Sequence, residues 1–347
     1  MKEKVKGVGL ISGGLDSTLA AMVMKEAGVD VYGINFNTGF CITSHRSEVR
    51  RKKDNEPKKL MCQALRASCD VDIPVEVVDV SKEFLEIVLN PKHGYGSNVN
   101  PCIDCRIFML KKAKEYADRI GAKFIFTGEV IGQRPMSQYR EALKLIERKA
   151  GLEGYLLRPL SAKLLEPTVP EKEGWIDRNK LLSISGRGRK EQYDLCEKYG
   201  FEDIPQPAGG CCFLVDVNFA RRFKDLVSHR EIGKVTNEDM ILLQVGRHFR
   251  FSYDLKAIVG RDEQENKFLE KYSKERWCFQ AQDCGSPLTI VEGDPGEEEK
   301  RTIAALTARY SSAREHEQVN VLCSKEDTQE IIHIDRSEIK DFTENLI

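Results

Sequence analysis

The chain has 347 residues, of which 31% are charged, and its formal net charge is only -1. This length allows two or three domains with well-filled cores, and the balanced charge means that any binding of nucleic acid must come from local basic patches. No apolar run approaches the roughly 18 residues of a membrane-spanning helix, and the first residues lack the apolar core of a signal peptide, so we expect a cytoplasmic protein with no membrane partner.

The first predicted element is a strand that runs into a glycine-rich turn and a helix, in residues 6–28 (KGVGLISGGLDSTLAAMVMKEAG). Residues 8–11 are apolar enough for a buried strand, and residues 18–27 for a helix that Gly28 ends. The turn between them, SGGLDS, leaves N–H groups at the helix start without partners, which favours a phosphate ligand. Its glycines admit an anion to the backbone, its serines supply hydroxyls, and its aspartate is a ligand type that Mg2+ accepts. The candidate nucleotide-binding residues are Ser12, Gly13, Gly14, Asp16 and Ser17.

Four further strands are predicted in residues 29–36, 75–80, 123–128 and 155–160, with helices between them. This alternation is typical of the α/β class, with a parallel sheet that carries helices on both faces. Ligands of such sheets bind at the carboxyl ends of the strands. Phe36 and Gly128 are therefore expected beside a nucleotide, with a plain core position as the alternative for Phe36.

The chain has eleven cysteines. Because this number is odd and the expected compartment is reducing, a disulfide scaffold is not expected, and some of the cysteines should be metal ligands or reactive thiols. Cys102 and Cys105 stand three apart at a predicted helix start, in NPCIDC, which fits zinc, a redox pair or part of an iron–sulfur site. The helix start is also expected to lower the pKa of these thiols. Residues 207–212 (PAGGCC) carry two adjacent cysteines, of which only one, Cys211 or Cys212, should face the site.

Taken together and in this order, SGGLDS, NPCIDC, a strand that ends in Thr127 and Gly128, and GGCCFLVDVNF resemble the tRNA 2-thiouridylase branch of the PP-loop ATP pyrophosphatases and the related 4-thiouridine synthetases. The resemblance covers roughly residues 5–225. It implies that ATP, with Mg2+, adenylates a uridine carbonyl oxygen of tRNA and that sulfur then displaces AMP. It also implies that the SGGLDS residues and Gly128 contact ATP, that Phe36 lies beside the adenine, and that the catalytic residues are Asp16, Cys105 and Cys212.

One departure from that family bears on the mechanism, because Cys102 stands where several 2-thiouridylases have an aspartate. The set Cys102, Cys105 and Cys212 resembles the ligands of iron–sulfur-dependent tRNA thiolases, which implies a 4Fe-4S cluster. The alternative is a persulfide that needs two of these cysteines, and Cys211 is a substitute for Cys212. The sulfur donor, sulfide or a cysteine desulfurase, stays open. A different enzymatic interpretation is a PP-loop sulfurtransferase or amidotransferase for a small molecule, with zinc or a persulfide at the cysteines.

The C-terminal part of the sequence, residues 226–347, is predicted to be a smaller α+β domain that binds RNA. Residues 221–261 hold nine Lys or Arg against five acidic residues, with aromatic residues among them, a composition that neutralises phosphates and stacks on bases. Two segments, LLQVGRHFRFSYDLKAIVGRDEQEN and AALTARYSSAREHEQVNV, resemble the RNA-binding domain of the NFACT family. The resemblance implies a role in holding tRNA, while a homodimer is left open. The candidate RNA contacts are Arg247, His248, Lys256, Arg261 and Arg314.

Overall fold

The computed structural model describes residues 4–42, 63–201, 203–204 and 212–347. These fall into two compact units, one that ends at Leu214 and one that spans Val215–Ile347. The domain boundary predicted after residue 225 falls inside a helix of the second unit, Val217–His229. The functional assignment of the two units stays a prediction.

The first unit is built on a five-stranded sheet in which all neighbouring strands are parallel. Its strands are β1 (Lys6–Leu10), β2 (Asp30–Asn37), β3 (Val75–Asp79), β4 (Phe124–Thr127) and β5 (Leu156–Leu157). They lie in the order β3-β2-β1-β4-β5. The predicted parallel α/β sheet is confirmed, with every strand near its predicted position.

Helices cover both faces of this sheet. They are α1 (Leu15–Glu26), α2 (Gln63–Val71), α3 (Ser81–Leu89), α4 (Cys102–Ile120), α5 (Arg140–Ala150), α6 (Val169–Lys172) and α7 (Lys190–Lys198). Because side chains alternate along a strand, Phe124 and Phe126 of β4 pack with α1, α2 and α7, while Ile125 packs with α4 and α5. Gly9 of β1 pairs with Phe126, and a Cβ at Gly9 would lie 2.4 Å from that ring, so the glycine makes room for the aromatic residue.

The second unit contains a six-stranded sheet whose neighbouring strands are antiparallel. Its helices are α8 (Val217–His229), α9 (Asn237–Leu242), α10 (Glu263–Leu269) and α11 (Glu297–Arg309). Its strands are β6 (Arg247–Arg250), β7 (Lys256–Val259), β8 (Trp277–Ala281), β9 (Thr289–Glu292), β10 (Gln318–Lys325) and β11 (Thr328–Asp335). The apolar side of α11 packs on this sheet through Ile303, Ala304 and Ala308. The unit is therefore α+β, as predicted.

Short 3-10 helices connect these elements at Ala162–Leu164, Arg178–Lys180, Phe213–Val215, Ile232–Lys234, Glu270–Tyr272, Arg336–Glu338 and Thr343–Asn345. Within the described ranges, none of the helices combines the length and the apolar character needed to cross a membrane.

Candidate active site

The glycine-rich turn folds around the hydroxyl groups of its two serines. Ser17 Oγ donates to the carbonyl of Gly14 at 2.9 Å, lies 3.0 Å from Ser12 Oγ, and accepts from the backbone N–H of Ser12 at 3.2 Å. Gly13 has a φ of +77°, which a glycine adopts without strain. Helix α1 begins at Leu15, and no described side chain caps its N-terminus. Its first N–H groups are therefore available to an anion.

Asp16 is held by two glutamines from distant parts of the chain. Gln133 Nε2 donates to Asp16 Oδ2 at 2.7 Å, and Gln192 Nε2 donates to Asp16 Oδ1 at 3.3 Å. Gln192 Nε2 also lies 3.2 Å from Gln133 Oε1, and Gln192 is fully buried. Each oxygen of Asp16 thus accepts one of these bonds and keeps a lone pair for a cation. Gln192 is not among the predicted site residues, because it lies in an ordinary amphipathic helix without a motif.

Strand β4 ends against the turn, and Gly128 is the residue that follows it. A Cβ at Gly128 would lie 2.5 Å from each of three backbone atoms: C and O of Asp16 and N of Ser17. The missing side chain therefore lets the end of β4 touch the start of α1. The sequence predicted close approach of Gly128 to a nucleotide. The structure adds contact with the turn as a second reason for glycine.

The ends of β1, β2 and β4 open into one cavity. The predicted site residues in its lining are Ser12, Gly14, Asp16, Ser17, Phe36, Cys102, Cys105, Gly128 and Cys212. Of the predicted ATP contacts, the described lining leaves out Gly13, which shapes the turn. Lining residues that sequence reasoning missed include Thr38, Phe40, Cys41, Arg106 and Glu129. Thr38, Phe40 and Cys41 follow β2 in a segment without a motif, so only the fold shows that they line the cavity.

Cys102 and Cys105 lie on the first turn of α4, which begins at Cys102. The backbone N–H of Cys105 donates to the carbonyl of Pro101 at 2.8 Å. Burial raises the pKa of Cys105 to about 11, against the opposing effect of Arg106. Burial raises the pKa of Cys102 as well. The expected lowering of the thiol pKa values at this helix start is therefore wrong, because loss of hydration outweighs the favourable charges.

Cys212 reaches the cavity from a different segment. It forms an isolated antiparallel bridge with Cys41, and the backbone N–H of Phe213 donates to the carbonyl of Phe40 at 3.0 Å. The expectation that Cys212 faces the site agrees with its place in the lining. Cys211 lies outside the described residues, so its part as a substitute stays a prediction.

A buried carboxylate fixes positive charge beside these cysteines. Glu129 Oε2 accepts from Arg158 Nε at 3.1 Å, and Glu129 Oε1 lies 3.6 Å from Arg106 Nε. Burial by itself raises the pKa of Glu129, but Arg158 and Arg106 bring it below its usual value of 4.5. Glu129 is therefore ionised at neutral pH. It holds Arg106, the neighbour of Cys105, in the cavity lining.

The cysteines of the cavity are thiols, and they are not arranged as a ready metal site. Cys102, Cys105 and Cys212 form no disulfide. In the described parts of the chain, no group of three or more His, Cys, Asp or Glu side chains could hold a metal ion. The donor atoms are those that an iron–sulfur cluster takes.

Only some of the predicted RNA contacts lie at the surface of the second unit. His248 is fully buried, and Lys256 is 1% exposed with its Nζ 3.5 Å from Glu292 Oε2. These two predictions are wrong, because both side chains lie in the interior of the unit, where no RNA can reach them. The candidates that are partly or fully exposed are Arg247, Arg261 and Arg314.

Two family models match separate parts of the chain. Residues 3–163 match the model described as "Thiamine biosynthesis protein (ThiI)". Residues 246–344 match the model described as "NFACT protein RNA binding domain". The first match contains the glycine-rich turn, Cys102, Cys105 and Gly128, whereas Cys212 lies beyond both matches.

Curated relatives are tRNA-specific 2-thiouridylases named MnmA. The protein of Petrotoga mobilis is 28% identical over 255 residues, which are 69% of this chain and 63% of that protein. The protein of Syntrophotalea carbinolica is 32% identical over 133 residues, 37% of this chain and 36% of that protein. This chain thus spans less than two thirds of the length of either relative. A solved 4-thiouridine synthetase–RNA complex with bound ATP aligns with a TM-score of 0.36 and 20% identity, over 60% of this chain and 45% of that one.

Proposed function

We propose that this chain, whose residues 3–163 match the ThiI family model and whose residues 246–344 match the NFACT RNA-binding domain model, is an ATP-dependent tRNA sulfurtransferase that thiolates a uridine. One observation carries the proposal: the glycine-rich turn and the thiols of Cys102, Cys105 and Cys212 line the same cavity. An activated carbon and a sulfur atom must come within a few ångströms for transfer. A shared cavity meets that requirement.

The roles follow from the order of the chemistry. A uridine carbonyl oxygen is a poor leaving group and AMP is a good one, so adenylation precedes the attack of sulfur. The turn, with the N–H groups at the start of α1, would bind the phosphates of ATP. Asp16 would hold Mg2+, which supplies positive charge against the α-phosphate. Arg106 adds a fixed positive charge in the same cavity.

For the sulfur, we propose that Cys102, Cys105 and Cys212 hold a 4Fe-4S cluster, which when bound supplies an iron without a protein ligand for hydrosulfide. A persulfide is the second route that these cysteines allow. In that route Cys212 carries a persulfide and Cys105 assists its transfer. The donor is sulfide in the first route and a cysteine desulfurase in the second.

The second unit supports tRNA as the substrate, since its residues 246–344 match the model described as an NFACT protein RNA binding domain. Exposed Arg314, with its side chain 63% accessible, is the strongest candidate for a phosphate contact. If the substrate were a small molecule, the second unit would have no role in the reaction.

The test uses protein prepared without oxygen, unmodified tRNA, ATP with Mg2+, and sulfide. We expect AMP release that depends on tRNA, and loss of thiolation in Asp16→Asn and Cys105→Ala. Cys69→Ala, a change at an exposed cysteine on α2, is the matched control and should keep activity. AMP release without tRNA would point to a small-molecule substrate. RNA binding without any ATP cleavage would leave only a binding protein.

Metal analysis separates the two sulfur routes. The cluster route predicts iron and acid-labile sulfide in the wild type and their loss in Cys102→Ala. Full thiolation by iron-free protein, or by Cys102→Ala, with a cysteine desulfurase and cysteine in place of sulfide would rule that route out in favour of the persulfide.

A further inference from the structure

Cys41 stands directly opposite Cys212 in the bridge between two segments of the first unit. The hydrogen bond from Phe213 N to Phe40 O, at 3.0 Å, joins the residues that flank this pair rather than the pair itself. Cys41 and Cys212 are therefore a non-hydrogen-bonded antiparallel pair, a geometry in which the two Cα atoms typically lie about 4.5 Å apart. That separation falls within the range of roughly 4.4 to 6.8 Å that a disulfide needs.

The two side chains also share a direction. Residues that oppose each other in an antiparallel pair project to the same side. Both cysteines line the cavity, both are thiols, and both are partly exposed. A small reagent that enters the cavity therefore reaches both sulfur atoms. No sequence motif marks Cys41, so only its pairing with Cys212 reveals it.

We propose that Cys41 and Cys212 form a reversible disulfide that takes Cys212 out of sulfur transfer. The effect on activity rests on the proposed function, whereas the bond itself does not. The oxidant is a low-molecular-weight disulfide such as oxidised glutathione. The reverse reaction uses a low-molecular-weight thiol.

The reaction balances in two exchange steps. The Cys212 thiolate attacks one sulfur of the small disulfide, forms a mixed disulfide and releases one small thiolate. The Cys41 thiolate then attacks Cys212 Sγ, forms the protein disulfide and releases the second small thiolate. Two protein thiols lose two electrons to the reagent, and their two protons go to the two thiolates released. Because the bond uses Cys212 Sγ, it forms only while that sulfur carries no metal or persulfide.

Peptide mapping after equilibration tests the bond. Reduced full-length protein, stripped of iron by a chelator, is equilibrated without oxygen in glutathione buffers of rising oxidised fraction. Remaining thiols are then alkylated and the peptides are identified by mass spectrometry. We expect one cross-linked pair that joins Cys41 to Cys212, with both thiols lost at the same glutathione ratio and both restored by dithiothreitol.

Matched variants show whether the two cysteines act together. In Cys41→Ser, protection of Cys212 as a mixed disulfide should require on the order of tenfold more oxidised glutathione, since the favourable intramolecular step is gone. Cys69→Ser should titrate as the wild type does. If Cys41→Ser does not fold, the wild-type map still decides.

Two results would overturn the proposal: a cross-link from Cys212 to Cys102 or Cys105, or loss of the Cys41 and Cys212 thiols at different glutathione ratios. Thiolation assays on aliquots taken before alkylation, after reconstitution in the buffer of each point, test the consequence. Activity should fall in parallel with the cross-link. A protein that forms the bond but never thiolates tRNA when reduced would refute the proposed function and leave the bond standing.

Discussion

Replacing Gly128 by alanine tests whether the end of β4 sets the position of the glycine-rich turn. The new Cβ would lie 2.5 Å from the backbone C and O of Asp16 and from the backbone N of Ser17. These are backbone atoms at the start of α1, so no side chain can rotate away to relieve the clash. Either the turn or the end of β4 must move.

The size of the effect follows from that geometry. Carbon and backbone atoms that do not bond need about 3.5 Å, so the alanine pushes the two segments apart by about 1 Å. Overfilling a packed site in this way typically costs about 1 to 3 kcal/mol of unfolding free energy. A displacement of 1 Å in a catalytic group can lower the rate by roughly a hundredfold. We therefore expect a modest loss of stability and a large loss of ATP cleavage.

The assay combines urea unfolding, ATP binding by calorimetry and the rate of AMP formation. Gly188→Ala is the matched control, because a Cβ there meets no atom within 4 Å and its φ is not positive. The control should behave as the wild type does. If Gly128→Ala binds and cleaves ATP normally while remaining folded, the contact between β4 and the turn does not position the site, and this reasoning fails.

Three further changes probe other parts of the chain. Gln192→Leu removes one donor from the aspartate of the turn and should weaken Mg-ATP binding by about 1.5 kcal/mol, roughly tenfold, in calorimetry; unchanged affinity would contradict its positioning role. Arg158→Leu leaves Glu129 buried without its nearest cation and should cost about 3 to 5 kcal/mol in urea unfolding. Because folding lowers the pKa of Glu129, the ionised carboxylate stabilises the folded protein fully above its usual pKa of 4.5, and this stabilisation is lost as pH falls through the lower pKa of the folded state. The fall of the urea midpoint in acid should therefore be weaker in Arg158→Leu than in the wild type. An identical pH profile for the two proteins would refute this. Arg314→Ala should reduce the salt slope of RNA binding by about one, whereas Lys256→Met should not change it.

The main elements of the first unit follow from sequence because their signals are local. The strand, turn and helix of residues 6–28 carry apolar runs, glycines and serines at the positions that such a unit requires. The same holds for the other strands and for the start of α4 near Cys102. Short-range patterns of this kind specify the type of each element and show which of its ends is rich in polar residues.

The partners of the site residues could not be predicted, because they come together only through tertiary packing. Gln192 lies 176 positions from Asp16 in the chain, and Cys41 meets Cys212 across a single bridge. The pattern of charged residues along the sequence also does not show which of their side chains are buried. Lys256 and His248 counted as basic surface in the sequence but lie in the interior, and burial rather than the helix start decides the direction of the pKa shift at Cys105.

The most direct test of the central claim is the ratio of AMP to thiouridine in a single turnover. Protein prepared without oxygen is mixed with limiting unmodified tRNA, labelled ATP and either sulfide or a cysteine desulfurase with cysteine. Nucleosides and nucleotides are then counted in the same samples. If the turn and the cysteines serve one reaction in one cavity, one AMP should appear for each thiouridine, with neither formed when tRNA or ATP is left out. AMP that forms without thiouridine in the presence of tRNA and each of the two sulfur donors, or at the same rate without tRNA, would contradict the account.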